Sequence, residues 1–561
     1  MNGESQIAVP CPFYKGESQG GRLSLRSSLF TAAEMLLVEL LVSLLLCSVV
    51  LAWVARRVRL PYPIALVLGG AVLGLVPELP WVTLDPDVVL AVFLPPVLYQ
   101  AALFTSWRDF KRWRMSITML AVGLVIATTI AVAVVAHWLI PGMPWAAAFA
   151  LGAIVSPPDA VAATAILGTL RVPQRLVSIL EGESLVNDAS GLVLYKFAVL
   201  AAVTGSFSAW HAGASFAWVS VGGVLLGVLF GWLFVWIQRQ IDDPFVEVLL
   251  SLTLPYTAYL VAEKAGVSGV LAVVAAGLLR SRVMAGLSSP ETRMLTLNVW
   301  NVVVFLFNSL IFIAIGIALP RIIERLLAIH NEKLYWYALA IVVTAIVVRL
   351  IWVFPGAALV RRMLNVVRHR EGHSSWRQTL VIGWAGMRGI VSIAAALALP
   401  HVTASGEPFP HRLMIIFLAF SVVFATLIVQ GLSLGPLVAA LKIKPDDAPE
   451  REVRTARLQM THAALAVIND LAAAGALRHE VVAQVRTLYA TRLERLDGAS
   501  DATVQHLPDT IKLRLAALHA ERKQMIKLWR DGSLGDEPRR ELEHELDLEE
   551  ARLAREREPG L

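Results

Sequence analysis

Apolar runs dominate the chain up to residue 435 and then stop. Thirteen can be marked off, at about 35–55, 62–77, 88–104, 115–140, 146–168, 184–204, 215–238, 245–262, 267–280, 300–320, 335–360, 378–400 and 412–435. Many approach the roughly 20 residues that an α-helix needs to cross a bilayer, and strands of that length are uncommon. The pattern predicts an all-α polytopic membrane protein with about 13 transmembrane helices. After Lys444 the character changes. Residues 451–473, 478–496, 505–531 and 536–557 read as amphipathic helices of mixed charge, with breaks at Gly475, Gly498, Gly532 and Gly535. Three regions follow: a polar, Gly/Ser-rich leader over 1–34, a transmembrane domain over 35–440, and a cytosolic helical tail over 441–561. The run that begins at Met35 is too long for the apolar part of a cleavable signal, and Met35 is itself a candidate start of translation.

Composition agrees with this division. The 561 residues are 57% hydrophobic and 16% charged, against about 25% charged in soluble domains. Residues 445–561 hold 22 of the 43 acids and 18 of the 49 bases, so the surplus of positive charge lies in the first 444 residues. Its distribution sets a topology. With thirteen spans, the odd-numbered loops carry 18 Lys and Arg, among them Arg56, Arg57, Arg59, Arg108, Lys111, Arg112, Arg114 and Arg280, and the even-numbered loops carry only 5. The positive-inside rule then puts the odd loops and the tail in the cytoplasm and the N-terminus outside. These bases read as membrane-edge residues, which argues against a nucleic-acid partner.

Other classes are excluded by what is missing from the sequence. Cys11 and Cys47 form neither a disulfide framework nor a zinc motif. No GxxxxGK[ST] is present, so ATP hydrolysis is not the energy source, and the second histidine of a zinc-protease helix is absent at Ala483. The chain is not expected to be an enzyme, and no cofactor is called for.

Polar groups inside the apolar runs carry the chemistry, because ionisable residues at membrane depth are costly. Asp159 follows Ser156-Pro157-Pro158 in the fifth run. Two prolines in succession break the helix there, and unwound backbone survives at that depth only where protein or a cavity covers it. Glu183, Ser184, Asn187 and Asp188 open the sixth run, and their i,i+4 spacing puts four oxygen-bearing side chains on one face. Carboxylate, hydroxyl and carbonyl oxygens are hard ligands that suit Na⁺ or Li⁺. Asp188, Asp159, Ser184 and Glu183 are the candidate ligands of the ion. Arg388, among Gly383, Gly386 and Gly389, needs partners in the membrane, and Glu183 and Glu247 are the candidates. Arg349 and Glu39 pair or snorkel. Asn308-Ser309 is a polar pair suited to bonds between helices.

In order along the chain, Ser156-Pro157-Pro158-Asp159, Glu183-Ser184-Leu185-Val186-Asn187-Asp188 and Gly386-Met387-Arg388-Gly389 resemble the bacterial branch of the sodium/proton exchanger family, the first group of monovalent cation:proton antiporters. The segment around Glu247 and the run from Ala258 to Glu263 are similar to that family too, and the resemblance covers about 35–440. It implies two inverted repeats, with the fifth and twelfth helices unwound and crossing near the midplane, one bundle moving as an elevator, and a homodimer in the cytoplasmic membrane. It implies that Asp188 alternately binds H⁺ and a monovalent cation, with Asn187 accompanying electroneutral one-for-one exchange. Glu183, Ser184, Asp159 and the main chain at Pro158 complete the coordination, and Arg388 and Glu247 support the crossover. Two positions depart from the pattern: Pro158 stands where other members carry Thr, and Asn308 where animal exchangers carry an acid. A K⁺-preferring exchanger keeps all of these residues. A cation channel, or a scaffold acting through the tail, remains the alternative class.

Overall fold

A computed structural model describes residues 39, 42–58, 60–76, 89–168, 170, 172–205, 209–287, 289–327, 333–367, 375–443, 448–473, 478–497, 507–531, 542, 545–550 and 552–553. The proposed leader, Cys11, Met35 and the tail glycines lie outside them. The chain divides between Lys444 and Pro445 into two compact units. Among the described residues every regular element is helical, apart from one isolated bridge between Val402 and Pro408.

In the first unit the described part of each of the thirteen apolar runs is mostly helical, with breaks inside the fifth and the twelfth. Helix α1 covers 42–58, α2 Tyr62–Gly74 and α3 Leu94–Phe104. Helix α4, Trp107–Thr118, runs through a π-helical stretch, Met119–Leu124, into α5, Val125–Leu139. Then come α6 Trp145–Val155, α7 Ala160–Leu167, α8 Gln174–Thr204, α9 Ala209–Gln238, α10 Pro244–Lys264, α11 Gly269–Leu287, α12 Pro290–Leu327, α13 Leu334–Val367, α14 Trp376–Trp384, α15 Ile390–Leu397 and α16 Arg412–Ala440. Eight stretches, with α4–α5 and α6–α7 each taken as one, are long and apolar enough to cross a bilayer, and α2 and α3 are shorter apolar helices. The chain is a multi-pass membrane protein.

Three boundaries differ from the sequence reading, and each has a local reason. Helix α8 begins at Gln174, ten residues before the apolar run, so Glu183 to Asp188 sit well inside it rather than at its start. The polar first turns are held because the Arg175 guanidinium lies 4.2 Å from the Trp113 ring centroid and Glu183 is ion-paired. Helix α4 begins at Trp107 because Ser106 caps it, accepting a bond from the Asp109 N–H. Arg280, counted above as a loop residue, is inside α11 and fully buried, where it donates 2.6 Å to Gln238 Oε1.

Two apolar cores form. The larger joins α5, α6, α7, α13, α15 and α16 with both ends of α8 (Leu176, Ile179 and Tyr195). The second joins α3, α10, α11 and α12 with the middle of α8, through Leu185 and Ala189. Helix α8 thus forms a seam between them, as does α12, whose Ile311 and Phe312 lie in the larger core and whose Trp300 and Val304 lie in the second. Two helices bond carbonyl groups of the π-helical stretch: from α8, Ser190 Oγ donates to Ala121 O at 2.7 Å, and from α13, Trp352 Nε1 donates to Met119 O at 3.2 Å. Those bonds satisfy acceptors that have no water to turn to.

In the second unit, Ala448–Ala473, His479–Asp497 and Leu507–Arg530 are helices, close to the expected bounds, and residues 542, 545–550, 552 and 553 are helical. Arg522 bonds Asp547 and, at 2.6 Å, Glu550, over a contact that includes buried Leu518, Met525 and Leu553.

The Ser190–Ala121 bond gives a direct test of the seam. Ser190→Ala leaves a buried carbonyl without its donor and should cost about 1–3 kcal/mol, read as a lower melting temperature of the detergent-solubilised protein. An unchanged melting temperature would show that the π-helical stretch does not depend on α8.

Candidate functional site

The site is built where two helices break side by side. Between α6 and α7 the chain is non-helical over Ser156–Asp159, and between α14 and α15 over Ala385–Gly389. The breaks are bonded directly: the Asp159 N–H donates to Met387 O at 2.7 Å. Each break leaves one helix C-terminus and one N-terminus at depth, with partial charges of about half a unit at each end.

Opposite side-chain charges meet these ends. Arg388 is buried and points at carbonyl groups. Its Nε donates to Val155 O at 3.1 Å, at the C-terminus of α6, Nη2 to Ala345 O at 3.2 Å, and Nη1 to Gly386 O. Its own N–H donates to Thr426 Oγ1 at 3.1 Å. Asp159 caps the other end, with Oδ1 accepting from the Val161 N–H at 2.8 Å at the start of α7. The glycines around Arg388 follow from the same packing. A Cβ on Gly386 would meet the Arg349 side chain, and one on Gly389 would overlap the Asp159 carboxylate.

Neither acid expected beside Arg388 bonds to it. Glu183 gives both oxygens to Arg349, at 2.5 and 2.9 Å, and both side chains are buried. Arg349 also donates to Ile382 O, at 3.3 and 3.1 Å. Glu247 accepts from Gln238, which in turn accepts from Arg280. Arg388 is satisfied by backbone because an unwound crossing exposes carbonyl groups that need a donor, a demand that side-chain spacing does not reveal. Glu39 is exposed, and Asn308 Oδ1 and Ser309 Oγ are buried without a partner among the described residues.

The quartet on α8 is divided in the same way. Asn187 turns to the break, its Nδ2 donating to Pro158 O at 2.8 Å, while its buried Oδ1 has no partner among the described residues. Ser184 Oγ accepts from the Ala160 N–H at 3.2 Å. Ser184, Asp188 and Asp159 all line one cavity of about 250 Å³ at the seam between the two cores. Glu183, Asn187 and Pro158 do not line it; they brace it. The cavity wall also carries residues that were not singled out from the sequence: Gln100, Thr164, Glu181 and Ser392, whose Oγ is buried and unpartnered among the described residues. Glu181 and Ser392 were legible as polar residues near the motifs, but only the break turns Ser392 into the cavity. Three carboxylates, those of Asp159, Glu181 and Asp188, with the hydroxyls of Ser184, Thr164 and Ser392, give the wall hard oxygen donors suited to a small cation.

Residues 41–440 match the transmembrane sodium/hydrogen exchanger family. The chain belongs to that family. An uncharacterized Na⁺/H⁺ exchanger of Mycobacterium tuberculosis is 35% identical to this exchanger over 531 residues, covering 91% of the chain and 95% of that protein. A sodium, potassium, lithium and rubidium/H⁺ antiporter of Bacillus subtilis is 35% identical over 383 residues, which is 66% of the exchanger and 56% of that protein. The sodium proton antiporter structure from Methanocaldococcus jannaschii superposes with a TM-score of 0.58 at 19% identity, covering 73% of this chain and 99% of that one. The fold is therefore of the antiporter type, and the family is one of transporters.

The ion pair and the carbonyl-bound arginine predict separable defects. Arg349→Ala leaves Glu183 buried and uncompensated, which should destabilise the exchanger by about 3–5 kcal/mol. Replacing both residues by apolar ones of similar size should recover most of the melting temperature. Arg388→Ala should lower folded yield and thermal stability more than cation affinity, and a large affinity loss at normal stability would contradict its placement on helix ends.

Proposed function

We propose that this exchanger is a secondary active antiporter that exchanges Na⁺ or Li⁺ for H⁺ across the cytoplasmic membrane, one for one, through competition of cation and proton at Asp188. The observation that carries the reading is the convergence of Asp188, Asp159 and Ser184 on one cavity, beside two broken helices whose ends are already neutralised by Arg388 and the Asp159 cap. A bare carboxylate is poorly tolerated away from water, so Asp188 must be neutralised either by a proton or by a cation. The two ligands exclude each other, and that exclusion couples their fluxes. Each pH unit of gradient supplies about 1.4 kcal/mol per proton, enough to drive roughly tenfold accumulation of a monovalent cation.

In this reading Asp159 and Ser184 contribute oxygens to the cation, and Asn187 fixes the Pro158 carbonyl that faces the break. Glu183, offered at first as a ligand, serves instead with Arg349 to lock α8 to α13, because both of its oxygens are taken. The neutralised site moves by an elevator step of one bundle against the other, and two copies form a homodimer. The N-terminus lies outside and the tail in the cytoplasm.

A K⁺-accepting exchanger is the second reading. What favours it is the name of the Bacillus subtilis relative, which carries four alkali cations, together with a site of the same hard-oxygen type.

Asp188→Asn should abolish cation-driven pH change in proteoliposomes while the protein stays folded and monodisperse. Wild-type-like exchange by that variant would refute the role of the carboxylate. Na⁺, Li⁺ and K⁺ compared in the same assay separate the two readings: half-maximal exchange at similar concentrations of all three would establish the broad one.

A further inference from the structure

Cation competition at Asp188 accounts for only part of the cavity's lining. Along one wall Glu181, Ser184, Leu185 and Asp188 stand at i, i+3, i+4 and i+7 on α8. This stripe places Glu181 about 10 Å from Asp188 along the helix axis. The same cavity is lined by Thr164, near the end of α7, and by Phe104, at the end of α3. Glu181 lies about two turns from the start of α8 at Gln174, the end that the charge pattern of the sequence assigns to the cytoplasmic side.

Glu181 differs from every other acid near the site. Glu183 is consumed by Arg349, Asp159 caps α7, and Asp188 is buried at depth. Glu181 is half-buried on the cavity wall and makes no ion pair or hydrogen bond among the described residues. A carboxylate that is structural would have a partner. One that stands alone in a narrow, low-dielectric cavity focuses its field along that cavity and raises the local concentration of cations there.

On the reading of this chain as a cation/proton antiporter, we propose that Glu181 is the cytoplasmic docking carboxylate for the hydrated alkali cation, a positioning residue that concentrates the ion one cavity length from Asp188. It holds the cation through its water shell and releases it inward as Ser184 and Asp188 replace that water. The proton that leaves Asp188 passes the same carboxylate on its way out. No bond to carbon forms or breaks, and charge is conserved because one cation moves in as one proton moves out.

The effect is electrostatic, so it depends on side and on salt. The full-length protein is assayed in inside-out and right-side-out membrane vesicles, with Na⁺ as the probe and choline chloride to set ionic strength. Removing one charge at this range should raise the Na⁺ KM of Glu181→Gln by about fivefold at low ionic strength. The shift should appear only at the cytoplasmic face, and it should collapse when the Debye length falls to about 5 Å or less. Maximal rate should stay within about twofold of wild type, Glu181→Asp should keep a near-normal KM, and Glu181→Lys should raise it further than Gln. Three results would overturn the proposal: an unchanged KM at low salt, a shift that is equal at both faces or independent of salt, or a loss of maximal rate alone. Absence of any alkali-cation exchange by the wild-type protein would instead refute the antiporter reading on which the proposal stands.

Discussion

Breaking a helix inside a membrane is the constraint from which this structure follows. Each break strands backbone donors and acceptors where water cannot reach them, and doing it twice at one level doubles the demand. The protein meets it by setting the two breaks against each other, so that the Asp159 N–H finds Met387 O, and by sending one buried arginine to the exposed carbonyl groups. Arg388 is best understood as a cap for helix C-termini, with Asp159 its counterpart at an N-terminus. The site inherits its electrostatics from that arrangement. The dipole ends are met by fixed groups, and Asp188 remains as a buried carboxylate on the cavity wall.

The same constraint divides the work among acids that look equivalent in sequence. Glu183 and Asp188 are five residues apart on one helix, and both are buried. One meets a guanidinium from α13 with both oxygens; the other meets a cavity. A bidentate buried pair holds its geometry and its charge state, which suits a fixed brace. Asp188, by contrast, faces a cavity whose wall is largely apolar apart from a few oxygen-bearing side chains. Helix α8 therefore acts as a structural strut on one face and lines the cavity with the other.

The glycines of the Gly386-Met387-Arg388-Gly389 segment illustrate how far a motif can be read. Two glycines three residues apart, with Gly383 three residues before them, signal a weakened helix, and that much is local. Their need for a bare Cα comes from elsewhere in the chain: Arg349 lies over one and the Asp159 carboxylate over another, 37 and 230 positions away in sequence. Family resemblance brought Arg388 and Asp159 to the same crossing, but not the identity of the groups that satisfy them.

The sequence by itself determined what depends on short range and on solvent: the apolar runs, the Pro-Pro break before Asp159, the shared helical face of Ser184 and Asp188, and the change to an amphipathic tail after Lys444. Hydrophobicity and helical period are properties of neighbours, so they are legible without a fold. Tertiary structure alone decided the partners. Glu183 could have met Arg388, and Asn187 could have met the ion. The packing of α13 and of the broken α6–α7 pair gave Glu183 to Arg349 and Asn187 to the Pro158 carbonyl. Long-range pairing is set by which buried donor lies within about 3 Å of which acceptor, and that distance is a property of how helices pack, which no spacing along the chain encodes.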